Sequence, residues 1–302
     1  MSFENITLYG VEHSPWVQGI WLALHHHKVK TRLTSFPLGL VWVWQKGLVF
    51  PALKLSDGSM HIDSFNMYVL LEEAGFELGV SQLSEDERIK AQVELERLFS
   101  IYALGRCSEG KKWAFIKGWS TMREVPFSVK GVVLRAFLSM YFWVLIVLGR
   151  RIQYRKNREP YDLDSIDELL NYWEHRLEKS KWLSGERMGF LDFALMGHIQ
   201  CMTSGLTDEL LPVLERKKQI LNWLRRMTDE LSDFEPLYVK RVFDHNASFA
   251  VSDIKEQTLF WVAWIGWLLL FPITFVLIVL SLNNRSKNPA HTGAVARKYR
   301  KR

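Results

Sequence analysis

The chain has 302 residues, a formal net charge of +6 and thirteen tryptophans, which is enough length for about two domains and a substantial core. Its two cysteines, Cys107 and Cys201, stand far apart and outside any metal-ligand spacing, which excludes a disulfide scaffold or zinc site and suits a reducing compartment. Seven lysines and arginines lie within 283–302 with no acid among them, so the rest of the chain is close to neutral and a nucleic-acid-binding face is excluded.

The first ten residues lack the basic and apolar regions of a secretory signal. Ile6–Tyr9 is a short apolar strand closed by Gly10. Ser14-Pro15 then opens a helix, with serine as N-cap and proline at the first helical position, where its missing N–H costs nothing. Val17, Ile20, Trp21 and Leu24 recur at helical spacing and supply a face to bury. A hydroxyl at the positive end of a helix is a seat for an anion such as a thiolate, although Ser-Pro opens many helices that bind nothing. His25-His26-His27 closes the helix; adjacent histidines point to different sides, so they read as half-solvated side chains at the negative helix end and not as a metal site.

Lys30–Phe36 reads as a second strand, and Phe36–Lys46 is an unusually apolar connection. Ala52–Leu55 is a third strand, Ser56–Ser59 a hairpin turn around Asp57-Gly58, and Met60–Ile62 the returning strand. Asp63-Ser64 opens a helix that ends at Gly75. The expected order is β-α-β-α-β-β-α.

This opening resembles the thioredoxin-like domain of the glutathione S-transferase family. Ser14-Pro15-Trp16 is similar to the Ser-Pro-aromatic helix start of serine-type members, and Phe50-Pro51-Ala52-Leu53 to the family's Val-Pro-x-Leu with its cis proline. Asp63-Ser64 is similar to the Glu/Gln-Ser pair, and Leu70-Leu71-Glu72-Glu73 to the Tyr-Leu-Glu helix end. The resemblance implies glutathione as co-substrate. Ser14 would stabilise its thiolate, the backbone at Phe50 and Pro51 would bond its cysteinyl part, Ser64 with free N–H groups beside it would hold the γ-glutamyl carboxylate, and Asp63 would pair with the α-ammonium. Where many relatives hold the glycyl carboxylate with polar residues, this chain has Val41-Trp42-Val43-Trp44, leaving Gln45 and Lys46 nearby.

Ser84–Arg106 is a long amphipathic helix, and Ser108–Lys130 a basic, aromatic, irregular linker. Gly131–Gly149 is apolar except for Arg135 and reads as a buried or membrane-surface helix, with a membrane span as the alternative. Leu163–Leu183 is amphipathic. Residues 182–195 resemble the family's Gly-Asp-Arg-x-Thr-x-Ala-Asp stretch, with Asp192 bonding back to its helix start and Gly189 in place of the usual Ser/Thr. His198 and Cys201 share a face of that helix without enough ligands for a metal. Ile220–Met227 resembles the family's closing helix, so the likeness covers about residues 5–235.

Thr258–Leu282 contains no charge and, as one helix, would reach roughly 36 Å, sufficient for a hydrocarbon core of about 30 Å; Pro272 is a kink point, and Trp261, Trp264 and Trp267 suit an interface. The expected architecture is an α/β thioredoxin-like domain (1–80), an all-helical domain like the family's C-terminal one (84–250), a transmembrane helix (258–282) and a basic tail (283–302). The expected function is a membrane-anchored, serine-type glutathione transferase acting on a hydrophobic electrophile, with its body cytoplasmic, no metal and no nucleic acid. The resemblance implies a homodimer. The basic tail counts against that orientation under the positive-inside rule. The competing reading is a non-catalytic adaptor with the same fold at a membrane, and a weaker third is a carrier of hydrophobic ligands.

Overall fold

Ile6–Tyr9 (β1) alternates buried and half-exposed side chains, as a strand covered on one face must. It pairs in parallel with Thr31–Thr34 (β2) and antiparallel with Ala52–Lys54 (β3), which in turn pairs antiparallel with Met60–Ile62 (β4). The strand order β2-β1-β3-β4 is that of a thioredoxin-like sheet. Pro15–His26 (α1) supplies the crossover that the parallel pair requires. Asp57 Oδ1 accepts from the Ser59 N–H at 2.8 Å and Gly58 takes φ +83°, closing the expected hairpin. Ser64–Glu73 (α2) follows, and Gly75 ends it at φ +97°. The structure is a computed structural model that describes residues 6–34, 51–100, 112–121, 127–155, 163–204, 210–235, 237–244 and 252–287. The second helix expected between β2 and β3, and the apolar Phe36–Lys46 connection, lie outside the described residues.

The later described residues are mainly helical: Glu85–Ser100 (α3), Lys112–Thr121 (α4), Val129–Arg155 (α5), Leu163–Leu177 (α6), Phe190–Met202 (α7), Leu211–Glu215 (α8), Lys218–Glu230 (α9), a 3-10 turn Tyr238–Val242, Ile254–Leu269 (α10) and Phe271–Lys287 (α11). Ser84 and Glu87 cap α3 reciprocally, each accepting the other's backbone N–H. Every residue of α7 is buried, and its main partner is α1. Asp192 is the polar pin of this core. It accepts from the N–H groups of Leu183 (2.8 Å), Ser184 (3.1 Å) and Gly189 (3.0 Å) and from the Trp223 indole (2.8 Å). Burial raises the pKa of its carboxyl, against the pull of those four donors.

The described residues form two hydrophobic cores. The larger joins the sheet, α1, α2, α3 and α6–α9. The smaller is built by α4, α5 and α10 around Trp119, Tyr141, Phe260 and Trp264, and it takes Val11 from the loop after β1.

Three expectations need correction, and one is met. The expected irregular linker 108–130 contains the helix α4, whose residues Ile116 and Trp119 face the second core. The helix expected over Leu163–Leu183 ends at Leu177, because Trp182 and Gly185 form a tight bridge instead. The apolar run Gly131–Gly149 falls within α5, where Val132, Ala136, Leu138 and Tyr141 are buried against protein, as the buried-helix reading expects. Thr258–Leu282 is not one rod. It breaks at Leu270 into α10 and α11, bent by 83°, and no single helix among the described residues is long and apolar enough to cross a membrane. The break follows from Pro272, which lacks an N–H, clashes with a preceding helical carbonyl and is preorganised for the first turn of a new helix.

Candidate functional site

Because β3 runs against β1 and β4 runs against β3, β1 and β4 point the same way. Their C-terminal ends and the start of β3 therefore share one rim, as the registers Tyr9↔Ala52 and Ala52↔Ile62 fix. Three stretches far apart in sequence meet there: the loop into α1 with Ser14, Pro51 before β3, and Asp63-Ser64 at the start of α2. Two strand spacings separate the ends of β1 and β4 by about 10 Å. An extended tripeptide spans about 10 Å. Phe50 and Lys46, the other two expected ligand-binding residues, lie outside the described residues.

Ser14 occupies the N-cap position of α1 with extended backbone (φ −104°, ψ 121°). Its carbonyl accepts the Gln18 N–H at 2.9 Å, but its half-buried hydroxyl makes no capping hydrogen bond. A serine oxygen at a helix start that is not spent on the helix remains available to a ligand.

The loop carrying Ser14 is held from behind by polar groups that sequence reasoning did not single out. Gln18 Nε2 donates to the Glu12 carbonyl at 2.8 Å, and the Tyr238 hydroxyl donates to the Glu12 carboxylate. His13 Nδ1 and Ser204 Oγ stand 3.1 Å apart, and Val239 N–H donates to Gln200 Oε1 at 2.8 Å. Thus the segment before Ser14 is tied to the end of α7 and to the 3-10 turn. The one available signal was Glu12-His13, two polar residues between a strand and a helix.

Below Ser14 the Trp16 ring meets Phe65 of α2, Phe99 of α3 and His198 of α7, the last edge-on at 4.6 Å between centroids. His198 Nδ1 bonds the Ala194 carbonyl at 2.8 Å, and burial pushes its pKa down to about 4, so the ring is neutral near pH 7. Cys201 is buried; burial and the nearby Glu12 charge push its thiol up, away from the thiolate a nucleophile needs. His198 and Cys201 are thus core residues of α7.

Asp63 has φ +77°, a left-handed conformation that costs a non-glycine residue about 1–2 kcal/mol. Its Oδ1 accepts from the N–H groups of Phe65 (3.0 Å) and Asn66 (3.3 Å), and burial outweighs these bonds to raise its pKa. This corrects one expectation: the N–H groups following Ser64 are not free for a ligand carboxylate, because Asp63 takes them. The N–H and hydroxyl of Ser64 itself donate to nothing among the described residues, and Ser64 is mostly buried at the first position of α2. Asp63 Oδ2 likewise accepts no hydrogen bond among the described residues.

His25 Nε2 and Lys28 Nζ each approach a carboxylate oxygen of Asp233 at 2.9 Å, which lowers that carboxyl to about 2. No group of three or more His, Cys, Asp or Glu among the described residues could hold a metal ion.

No family model matches the chain, and no curated protein matches it. Solved structures similar to this chain include glutathione S-transferases. The enzyme from Pseudomonas fluorescens is 18% identical, with 74% of this chain and 94% of that one covered at a TM-score of 0.40. Glutathione transferase F7 from Populus trichocarpa is 13% identical, with 80% and 100% covered at 0.41. A glutathione transferase from Methylococcus capsulatus is 18% identical, with 79% and 97% covered at 0.42. Scores this low carry no weight by themselves, and the thioredoxin-like assignment rests on the strand order and directions of this chain.

Proposed function

We propose that this chain binds glutathione along the rim shared by β1, β3 and β4 and transfers it to a hydrophobic electrophile, while attached to a membrane through residues 258–282. The observation that carries the reading is the convergence of Ser14, Pro51, Asp63 and Ser64 on one rim of tripeptide length. Ser64 would bond the γ-glutamyl carboxylate with its N–H and hydroxyl, and Asp63 Oδ2 would take the α-ammonium. The backbone at Phe50 and Pro51 would bond the cysteinyl unit, and Lys46 would reach the glycyl carboxylate. The Ser14 hydroxyl would donate to the sulfur, favouring thiolate over thiol near neutral pH. The thiolate then attacks the electrophilic carbon and the leaving group departs with the bonding pair, the rate coming from positioning and thiolate stabilisation. A cytoplasmic body accords with the need for glutathione, and the resemblance implies a homodimer.

The test is conjugation of glutathione to an activated aryl halide. Wild type should turn over, and Ser14→Ala should lose about 10²-fold in kcat with KM for glutathione little changed, since the hydroxyl acts on the sulfur. A turnover equal to the uncatalysed rate would contradict the transferase reading.

One observation favours a second reading, a non-catalytic adaptor. The helices α4, α5 and α10 form a separate body that presses on the loop before Ser14 through Val11. Such a body could serve a partner as readily as a substrate. Saturable glutathione binding separates the two.

A further inference from the structure

The apolar C-terminal run ends up in an arrangement that a straight membrane anchor could not have. The inner face of α10 repeats every turn or so: Glu256, Phe260, Trp264 and Trp267 all lie on the side that meets α5. Phe260 and Trp264 are buried in the second core, and the Trp267 indole donates to the Val133 carbonyl at 3.0 Å. Glu256 pairs with Arg135 of α5 at 3.1 Å, both side chains nearly closed to solvent, and the Arg135 guanidinium stands 5.6 Å from the centre of the Phe260 ring. These contacts fasten α10 lengthwise to the body.

The opposite face is bare. Val262, Ile265 and Leu269 are 62%, 53% and 77% exposed, and Ile273, Val276 and Leu277 continue the surface around the bend onto α11. Among the described residues, the main contacts of α11 are with α10. Monomeric proteins seldom leave a contiguous apolar surface of this kind open to water. Each apolar arm, Thr258–Leu269 and Phe271–Leu282, is about 18 Å long, short of the roughly 30 Å hydrocarbon core.

We infer that the α10–α11 elbow inserts into one leaflet of an anionic bilayer without crossing it, leaving body and tail on the same side. The occupant of the bare face is lipid because the elbow is followed directly by the seven lysines and arginines of 283–302, which suit anionic headgroups and would not suit the apolar interface of a second copy. This rests on the attachment part of the proposed function and is independent of glutathione. It also removes the conflict between a cytoplasmic body and a tail that the positive-inside rule keeps cytoplasmic, since a one-leaflet elbow keeps both there.

The experiment uses the full chain in a Cys107→Ala background, with Cys201 buried, carrying either Glu186→Cys on the exposed body surface or Ala296→Cys in the tail. Protein is added to preformed phosphatidylcholine vesicles containing 30% phosphatidylglycerol (roughly the anionic density of a cytoplasmic leaflet), floated on a density gradient, and labelled with a membrane-impermeant maleimide. The inference expects flotation and equal labelling of the two variants without detergent. Flotation with the Ala296→Cys variant labelled only after detergent would mean a span; it would overturn the inference and leave the attachment reading standing. Failure to float, whether as monomer or as a self-associated species, would overturn both. A further variant, Ile265→Glu with Leu269→Glu, changes only exposed positions, so it should keep its helical circular dichroism and lose flotation at least tenfold. Unchanged flotation of that folded variant would overturn the assignment of the face.

Discussion

Gly19 of α1 and Gly197 of α7 face each other so closely that a methyl group on Gly197 would stand 2.5 Å from the Gly19 nitrogen; it would also overlap the Pro15 carbonyl. A methyl on Gly19 would in turn meet the Tyr68 hydroxyl at 2.6 Å. The helix that carries Ser14 is thus positioned by backbone-to-backbone contact with the fully buried helix α7. Gly197→Ala should push α1 away and move Ser14 along the rim. The expected cost is about 1–3 kcal/mol in urea unfolding, as for other overpacked cores. Glutathione conjugation should fall more steeply than stability at temperatures where the variant is still folded. An unchanged stability would mean that the two helices separate without strain.

His198 should make stability acid-sensitive. Its pKa in the folded chain is about 4, below the ordinary 6.5, so the unfolded chain binds more protons between those values. The neutral ring's contribution is fully present above pH 6.5, declines as pH falls and is gone once pH passes below 4. Across that window it amounts to about 3 kcal/mol. Urea midpoints measured from pH 7 to pH 4 should show this fall, and His198→Leu should flatten it.

Arg135 and Glu256 bind α5 to α10 by a pair of charges that neither helix could bury alone. Glu256→Ala removes the carboxylate from a buried guanidinium and should cost about 3–5 kcal/mol, whereas Arg135→Met with Glu256→Met should cost much less, because a buried pair contributes little beyond an apolar replacement. Hydrogen exchange should localise the loosening to α5 and α10. Equal losses for the single and double variants would indicate that the helices are held by packing alone.

Asp63→Ala should be doubly unfavourable, removing the acceptor for two N–H groups while keeping a left-handed residue with a side chain. A loss of about 1–2 kcal/mol is expected from the cap. Asp63→Asn keeps an acceptor and tolerates the left-handed region, so it should recover most of the stability and not the binding of an α-ammonium. Thermal unfolding and glutathione affinity together separate these effects.

Much of this arrangement is legible in the chain. Ser-Pro, Asp-Gly and Asp-Ser are punctuation set by local chemistry, and they fall where α1, the hairpin and α2 require. Asp192 was also readable, since an acid three residues into an apolar helix has few other uses. The partners of the Arg135 guanidinium and the Glu12 carboxylate, Glu256 and Tyr238, were not, because they lie over a hundred residues away and no local pattern names them. The fate of 258–282 was misread for a related reason. Hydropathy measures a preference for leaving water, and it does not distinguish lipid from the face of α5; the bend at Pro272 and the docking of Trp264 decide that. That Asp63 takes the N–H groups of Phe65 and Asn66 and leaves none for a ligand is not legible, because an Asx cap and a ligand seat have the same sequence signature.

The most direct test of the account is calorimetric titration of glutathione into the 302-residue chain in mild detergent, beside Ser64→Ala and Ser14→Ala. The account predicts saturable binding with a dissociation constant in the millimolar range or below, weakened about tenfold by Ser64→Ala, which removes one hydrogen bond to a charged group, and little changed by Ser14→Ala. A folded protein that takes up no heat from about 10 mM glutathione, a concentration that should fill a site held by even two or three such bonds, would contradict it.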